Sequence, residues 1–209
     1  MQESFSWEGE DVLAAKICGD VLGIAKGIYV DIGAHHPHDL SNTELLYRRG
    51  WRGINIDATP GSMEAFREHR PEDINIECGI GREDGIGVFH LFANGTLNGF
   101  LGPEALQSQI SRGEAYLGNV EMQMRSIASI LSEHNVDAVD LLNIDVEGME
   151  AEIMAAWPHD KLPRMIICEV LGANTVRDVL SKALVKQIEA LGYDLVSRLH
   201  FSCIFMRRI

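Results

Sequence analysis

Two short apolar runs, each carrying an acid at or near its end, flank a helical stretch in residues 27–57, GIYVDIGAHHPHDLSNTELLYRRGWRGINID. Ile28-Tyr29-Val30-Asp31-Ile32 is rich in β-formers and runs into Gly33; Ser41 to Arg49 reads as a helix; Gly53-Ile54-Asn55-Ile56-Asp57 is the second run. Strand, turn, helix and strand make one βαβ unit, the smallest piece from which a parallel sheet is built. In such sheets small molecules bind beyond the carboxyl ends of the strands, where Gly33 and Asp57 fall. Asp31 and Asp57 stand where an adenosine would need acids, so this stretch is expected to hold a cofactor.

The turn after the first strand, Gly33-Ala34-His35-His36-Pro37-His38-Asp39, narrows the choice of cofactor. A dinucleotide turn reads G-x-G-x-x-G, whereas here His35 and His38 occupy the second and third glycine positions. Bulk at those places blocks close approach of a pyrophosphate, which counts against NAD and FAD and leaves room for a nucleoside without phosphates. The three histidines are polar lining of a pocket, a satisfied turn or metal ligands, though they lack the helical spacing of a zincin. Ser41-Asn42-Thr43-Glu44 has the pattern of a capping box and Gly50 that of a C-cap. The N–H groups of this helix start are expected to be free for a carboxylate. Asp57 is the expected partner of ribose hydroxyls. Thr59-Pro60 predicts a helix opening there, with Met63 and Phe66 packing on an adenine or in the core. Ile74 to Cys78 reads as a third strand, and Gly79-Ile80-Gly81 permits close approach at the same end of the sheet.

Further along, strand and helix patterns alternate. Glu10 to Leu22 has helical apolar spacing and is expected only to cover the core. Gly87 to Phe92 reads as an extra strand. Asn94 to Asn119 is a long Gly/Asn/Ser-rich segment with one helical pattern, Pro103 to Ile110, and is read as a substrate loop or lid. A strand over Val120–Met124 and a helix over Arg125–His134 follow. Leu141 to Asp145 is a buried strand ending in an acid, with Glu147 and Glu150 close behind; Glu150 suits the start of a helix. Met165 to Val170 is another buried strand, and its acid, Glu169, needs a partner or a function. Val176 to Leu191 reads as one amphipathic helix stopped by Gly192. Tyr193–Val196 and Phe201–Arg207 then form an antiparallel hairpin.

Composition closes off several classes. The chain has 209 residues, 46% of them apolar, which suits one globular domain over 1–209, with residues 1–26 as an N-terminal helical cover and 94–119 as the loop. No apolar run is long enough for a membrane span, and the acidic N-terminus is unlike a signal peptide. The four cysteines are scattered and form no C-x-x-C pair, so a reduced cytoplasm is expected. A net charge of −13 argues against nucleic acid as a partner.

Taken in order, VDIGAHHP, SNTELLYRRGWRGINIDA, PGSMEAF, RPEDINIE and LLNIDVEGME resemble the signature blocks of the FkbM family of S-adenosylmethionine-dependent methyltransferases. The resemblance spans Gly27 to Val170. It implies a Rossmann-like class I fold: a mostly parallel seven-stranded sheet, helices on both faces and a C-terminal antiparallel hairpin. It also implies methyl transfer from S-adenosylmethionine to a hydroxyl group of a small molecule or glycan, often a sugar of a polysaccharide or secondary metabolite. On this reading Asp31, Gly33 and Ala34 line the cofactor, Asp57 holds its ribose and Asp145 faces the reaction centre. His35, Ser41, Asn42, Ala58, Ser62, Met63 and Gly79 complete the expected cofactor set. Asp145 or Glu147 is the expected base, with His36 behind them. In the class I sheet the fourth and fifth strands are neighbours, so Asp145 and Glu169 should end side by side, where Mg²⁺ would suit them. The competing readings are a non-catalytic S-adenosylmethionine-binding module and a nicotinamide-dependent reductase, which should carry the missing glycines.

Overall fold

A computed structural model describes residues 3–208, so residues 1, 2 and 209 of the expected domain lie outside the described residues. Helix α1 (Glu10–Lys16) passes through a π-helical turn (Ile17–Val21) to β1 (Ile28–Ile32). Then come α2 (Glu44–Arg48), β2 (Arg52–Asp57), α3 (Met63–His69), β3 (Ile74–Glu77), β4 (Gly79–Gly81), β5 (Gly85–Phe92), α4 (Pro103–Ser111) and β6 (Tyr116–Ser126). The rest is α5 (Ile127–Glu133), β7 (Leu141–Ile144), α6 (Glu150–Ala156), β8 (Met165–Glu169), α7 (Val176–Ser181), α8 (Ala183–Ala190), β9 (Tyr193–Arg198) and β10 (Ser202–Arg207).

Seven strands form one sheet in the order β3-β2-β1-β7-β8-β10-β9. The first five are parallel; β10 is antiparallel to both β8 and β9, the expected terminal hairpin. Successive side chains of a strand point to opposite faces, and both faces are covered, so the strands are apolar almost throughout. Val30, Ile32, Leu142, Ile144 and Ile166 pack under α5 to α8. Tyr29, Leu141, Met165, Ile167 and Ile204 point the other way, against Ala14 and Cys18, Leu46, and Trp51 just after α2.

One polar row interrupts the second face. Register pairs Asp31 with Asn55 on one side and with Asn143 on the other, across β2, β1 and β7. Arg70, 0% exposed at the end of α3, lies over this row. Its guanidinium donates to Glu44 Oε2 (3.1 Å), Thr43 Oγ1 (2.8 Å) and Ser41 Oγ (2.8 Å), and to the Pro37 carbonyl. The loop from Pro37 to Glu44 is thereby tied down onto the carboxyl ends of the strands.

Several element boundaries differ from the sequence reading. The first helix gives way to the π-turn after Lys16, in a stretch holding Gly19, a poor helix former. Helix α3 starts at Met63, not at Thr59, because Gly61 is left-handed (φ 81°) and the Thr59 N–H is taken by Asp57 Oδ1 at 2.7 Å. The predicted helix over Val176–Leu191 is two helices. Lys182 is extended (ψ 141°), and Ser181 Oγ bonds back to the Asp178 carbonyl at 2.6 Å, a contact that loosens a helical turn. Only half of the capping box forms: Ser41 Oγ accepts the Glu44 N–H, while the Glu44 carboxylate turns to Arg70 and Arg48. The helix N–H groups expected to be free for a ligand are therefore partly occupied, since Ser41 Oγ also takes that of Thr43. The segment 94–119 is shorter as a loop than predicted, because its last four residues are already strand β6. That strand joins β4 and β5 in a separate three-stranded sheet. Among the described residues no helix is long and apolar enough to cross a membrane.

Candidate functional site

A cavity of about 300 Å³ opens at the carboxyl ends of β1, β2, β7 and β8, the end of the sheet where open α/β folds bind ligands. Its floor is set by the turn after β1. Gly33 is left-handed (φ 80°), and a Cβ there would lie 1.8 Å from the Asp145 carbonyl oxygen, so only glycine lets the β1 and β7 ends approach this closely. The N–H groups of Gly33 and Ala34 both donate to the Ile56 carbonyl (2.9 and 3.1 Å), and the His35 N–H donates to Asp57 Oδ2 (2.9 Å). Asp57 thus receives one N–H on each oxygen, from His35 and Thr59. A carboxylate oxygen accepts two hydrogen bonds, which leaves capacity on the cavity side for a vicinal diol.

Asp31, 1% exposed, accepts hydrogen bonds from Thr43 Oγ1 (2.6 Å) and Asn143 Nδ2 (2.8 Å). Burial pushes its pKa up, and the two hydrogen bonds oppose that shift. Asn143 in turn accepts from Asn42 Nδ2 at 2.9 Å. This relay fixes Asn42, which lines the cavity, through a residue that the sequence reading passed over. The signal was there: Asn143 is the same kind of polar interruption in an apolar strand as Asp31, one strand away.

Three acids converge where β7 and β8 end. One oxygen each of Asp145, Glu147 and Glu169 lies within 4.8 Å of the others, so the expected juxtaposition of Asp145 and Glu169 is present, with Glu147 added. Asp145 is exposed, and it lines the open cavity while the surrounding protein desolvates its carboxyl group. Burial, then the neighbouring charge of Glu147, raise Asp145 to about 7; burial, then Asp145, raise Glu169 to about 8. Glu147 is raised by burial and then by Glu150. Among the described residues no side chain donates a hydrogen bond that would relieve any of the three. Glu150 itself turns inward to cap the loop, accepting the N–H groups of Val146 and Gly148. Glu147 holds a left-handed conformation (φ 57°), as do His35 and Leu40, and all three line the cavity. Non-glycine residues in that region carry strain that clusters at functional sites.

The rim comes from the chain's two ends, which the sequence reading had left as cover and hairpin. Asp11, 0% exposed, gathers Ser4 Oγ, Ser6 Oγ and the Phe5 N–H into a tight turn. Phe5 is held by the Ser41 N–H (3.0 Å) and by Arg48 over its ring (4.2 Å). Glu8 Oε2 then accepts the Phe201 N–H (2.9 Å) and Glu10 Oε1 accepts Ser202 Oγ (2.8 Å). This strap, residues 5–10, crosses from the α2 loop to the β9–β10 turn and puts Trp7, Glu8 and Glu10 into the cavity wall. Nothing local in the sequence marks these residues, because their partners lie some 190 positions away.

The structure gathers Asp31, Gly33, Ala34, His35, Asn42, Asp57, Ala58, Gly79, Asp145, Glu147 and Glu169 around the cavity. Four expected site residues lie outside its lining. His36 faces its own loop, where Nδ1 accepts the N–H groups of His38 and Asp39, and burial lowers its pKa. Ser41 is sealed beneath Arg70. Met63 is fully buried against Ala34 and Phe66, so it packs the core. Ser62 Oγ is buried without a partner at the head of α3. The space that Gly79 leaves is filled by the Phe100 ring, 2.3 Å from where a Cβ would be. Of the histidines, His38 is engaged with Glu44 Oε1 (2.9 Å), and no histidine belongs to a metal-sized group among the described residues.

A family model described as Methyltransferase FkbM domain matches residues 31–195. Among solved structures, the chain is similar to a TehB-like SAM-dependent methyltransferase from Corynebacterium glutamicum, at 12% identity over 96% of this chain and 88% of that one, with a TM-score of 0.42. It is similar to a precorrin-6y C5,15-methyltransferase from Geobacter metallireducens, at 12% identity over 98% and 90% of the two chains and a TM-score of 0.42. A Methanococcus jannaschii fibrillarin pre-rRNA processing protein matches at 14% identity over 88% and 67%, with a TM-score of 0.46. No curated protein sequence matches the chain.

Proposed function

Because this chain belongs to the FkbM methyltransferase domain family, we propose that it is an O-methyltransferase acting on a hydroxyl group of a sugar. The observation that carries this reading is the unpaired Asp145 carboxylate, raised to about 7 and facing the cavity at the tip of β7. A base of that pKa is matched to taking a hydroxyl proton near neutral pH. When bound, S-adenosylmethionine supplies a methyl group on a sulfonium, open to in-line attack. The cavity fits it: Asp57 keeps acceptor capacity for both ribose hydroxyls, and Gly33 and Ala34 bring bare backbone against the nucleoside. Asn42, held by Asn143, offers a polar group to the amino-acid end. Asp145 receives the acceptor proton, and Glu147 beside it keeps that carboxylate basic. The segment 94–119 is our substrate loop, since Asn98 and Phe100 line the cavity. Four buried free cysteines support a cytoplasmic setting.

The test is methyl transfer from labelled S-adenosylmethionine to a panel of sugars by wild type and Asp145→Asn. The variant should bind S-adenosylhomocysteine normally and lose roughly 10²-fold or more in turnover. An equally active variant removes Asp145 from the chemistry.

The three clustered carboxylate oxygens favour a second reading of the same site. Asp145, Glu147 and Glu169 would hold a Mg²⁺ ion, and such an ion would acidify a bound hydroxyl. Exhaustive EDTA treatment followed by Mg²⁺ add-back separates the two: unchanged turnover removes the ion.

A further inference from the structure

Among the described residues seven carboxylates line the cavity, from Glu8, Glu10, Asp31, Asp57, Asp145, Glu147 and Glu169, and neither a lysine nor an arginine does. Asp31 is occupied by Thr43 and Asn143, and Asp57 closes the turn after β1. The other five are within electrostatic reach of one another: Glu8 acts on Glu169 and Glu10 on Asp145. Asp145 opens onto the cavity and accepts no hydrogen bond from the protein among the described residues. Mutual repulsion with no cation in the wall favours protons on Asp145 and Glu169, and a bound cation would relieve it. The same rim carries two large aromatic rings with exposed surface: Trp7 is 71% exposed, and Phe201, packed on one side by His200, 41%.

We propose that the acceptor is a cation, an amine-bearing sugar or cyclitol whose ammonium lies among Glu8, Asp145 and Glu169 and whose ring packs on Trp7. This rests on the methyl-transfer reading of the cavity. An acceptor carrying phosphate or carboxylate, such as a nucleotide sugar, adds a charge of the wrong sign and is repelled. A neutral sugar satisfies the hydrogen bonds and does nothing to relieve the repulsion among the acids. A lone metal ion needs only the three clustered oxygens. The wider ring of charge from Glu8 and Glu10, with aromatic faces beside it, matches a cation of many atoms, which gains from both.

Calorimetry on the protein loaded with S-adenosylhomocysteine, in EDTA at pH 7, tests this with methyl α-glucosaminide, methyl α-glucoside and glucosamine 6-phosphate. The aminoglycoside should bind about ten-fold or more tightly than the neutral glycoside, the size of one charge-assisted hydrogen bond, and the phosphate should bind most weakly. Glu8→Gln should reduce the preference while leaving the affinity for S-adenosylhomocysteine unchanged. Equal affinity for the two glycosides, or binding of neither, overturns the proposal. So does a preference that disappears when Mg²⁺ replaces EDTA, because the charge then belongs to the metal. Failure of S-adenosylhomocysteine itself to bind strikes the methyl-transfer reading instead, and is seen before any sugar is added.

Discussion

Asp145 ionises late because its charge is desolvated and faces Glu147. Two pH effects follow, of opposite sign for stability and for activity. In the folded state the acid holds its proton up to about 7, and in the unfolded chain only to the ordinary carboxylate value near 4. The folded state therefore binds more protons across that window, and stability falls as pH rises through it. Asp145→Asn should raise stability at pH 8 by roughly 1–2 kcal/mol, allowing for solvent screening, with the gain vanishing towards pH 4. Thermal unfolding of the two proteins across pH checks it. With Asp145 as the proposed base, activity moves the other way, since a base must be unprotonated: kcat/KM should climb with pH through about 7. Arg70 makes a different demand. Arg70→Ala leaves Glu44, 1% exposed, without its buried partner and should cost roughly 3–5 kcal/mol in urea unfolding. Neither half of that pair was legible in the sequence. Glu44 looked accounted for as a capping residue, and Arg70 lies 26 positions away.

At the scale of elements, the parallel strands were legible because continuous apolar runs ending in an acid leave little else to be. The helices were legible as helices but not in their limits. Gly61, Lys182 and the π-turn after Lys16 end or break them through backbone geometry that apolar spacing does not encode. Helix α4 is the element least tied to the rest, with no buried residue along its nine. Replacing residues 103–112 by a Gly/Ser linker of about five residues, enough to span the gap when extended, should change unfolding stability by less than about 0.5 kcal/mol. Turnover should fall while S-adenosylhomocysteine affinity holds, measured side by side. A matching loss of affinity would place the segment in the cofactor half.

At the scale of the whole molecule, the cofactor half is local in sequence and the acceptor half is not. Gly33, Asn42 and Asp57, which line the cavity, come from one βαβ unit, which is why they could be picked out in the sequence as cofactor candidates. A ligand that binds only the folded state should then stabilise every element at once: at a hundred times its Kd, S-adenosylhomocysteine adds about 2.7 kcal/mol. For a chain of this size that is a rise in Tm of roughly 5–11 °C, and calorimetric scans with and without it give the answer. The far wall depends on bonds between residues 193 and 192 positions apart, Glu8 to Phe201 and Glu10 to Ser202. Such contacts bear the largest loop-closure cost and form late. On the ribosome, a nascent chain can shape the nucleoside turn while most of its length is still unmade. The strap has nothing to close against until the turn between the last two strands has left the exit tunnel. On the proposed function, synthesis therefore passes through no stage at which a partial chain holds an acceptor beside a methyl donor.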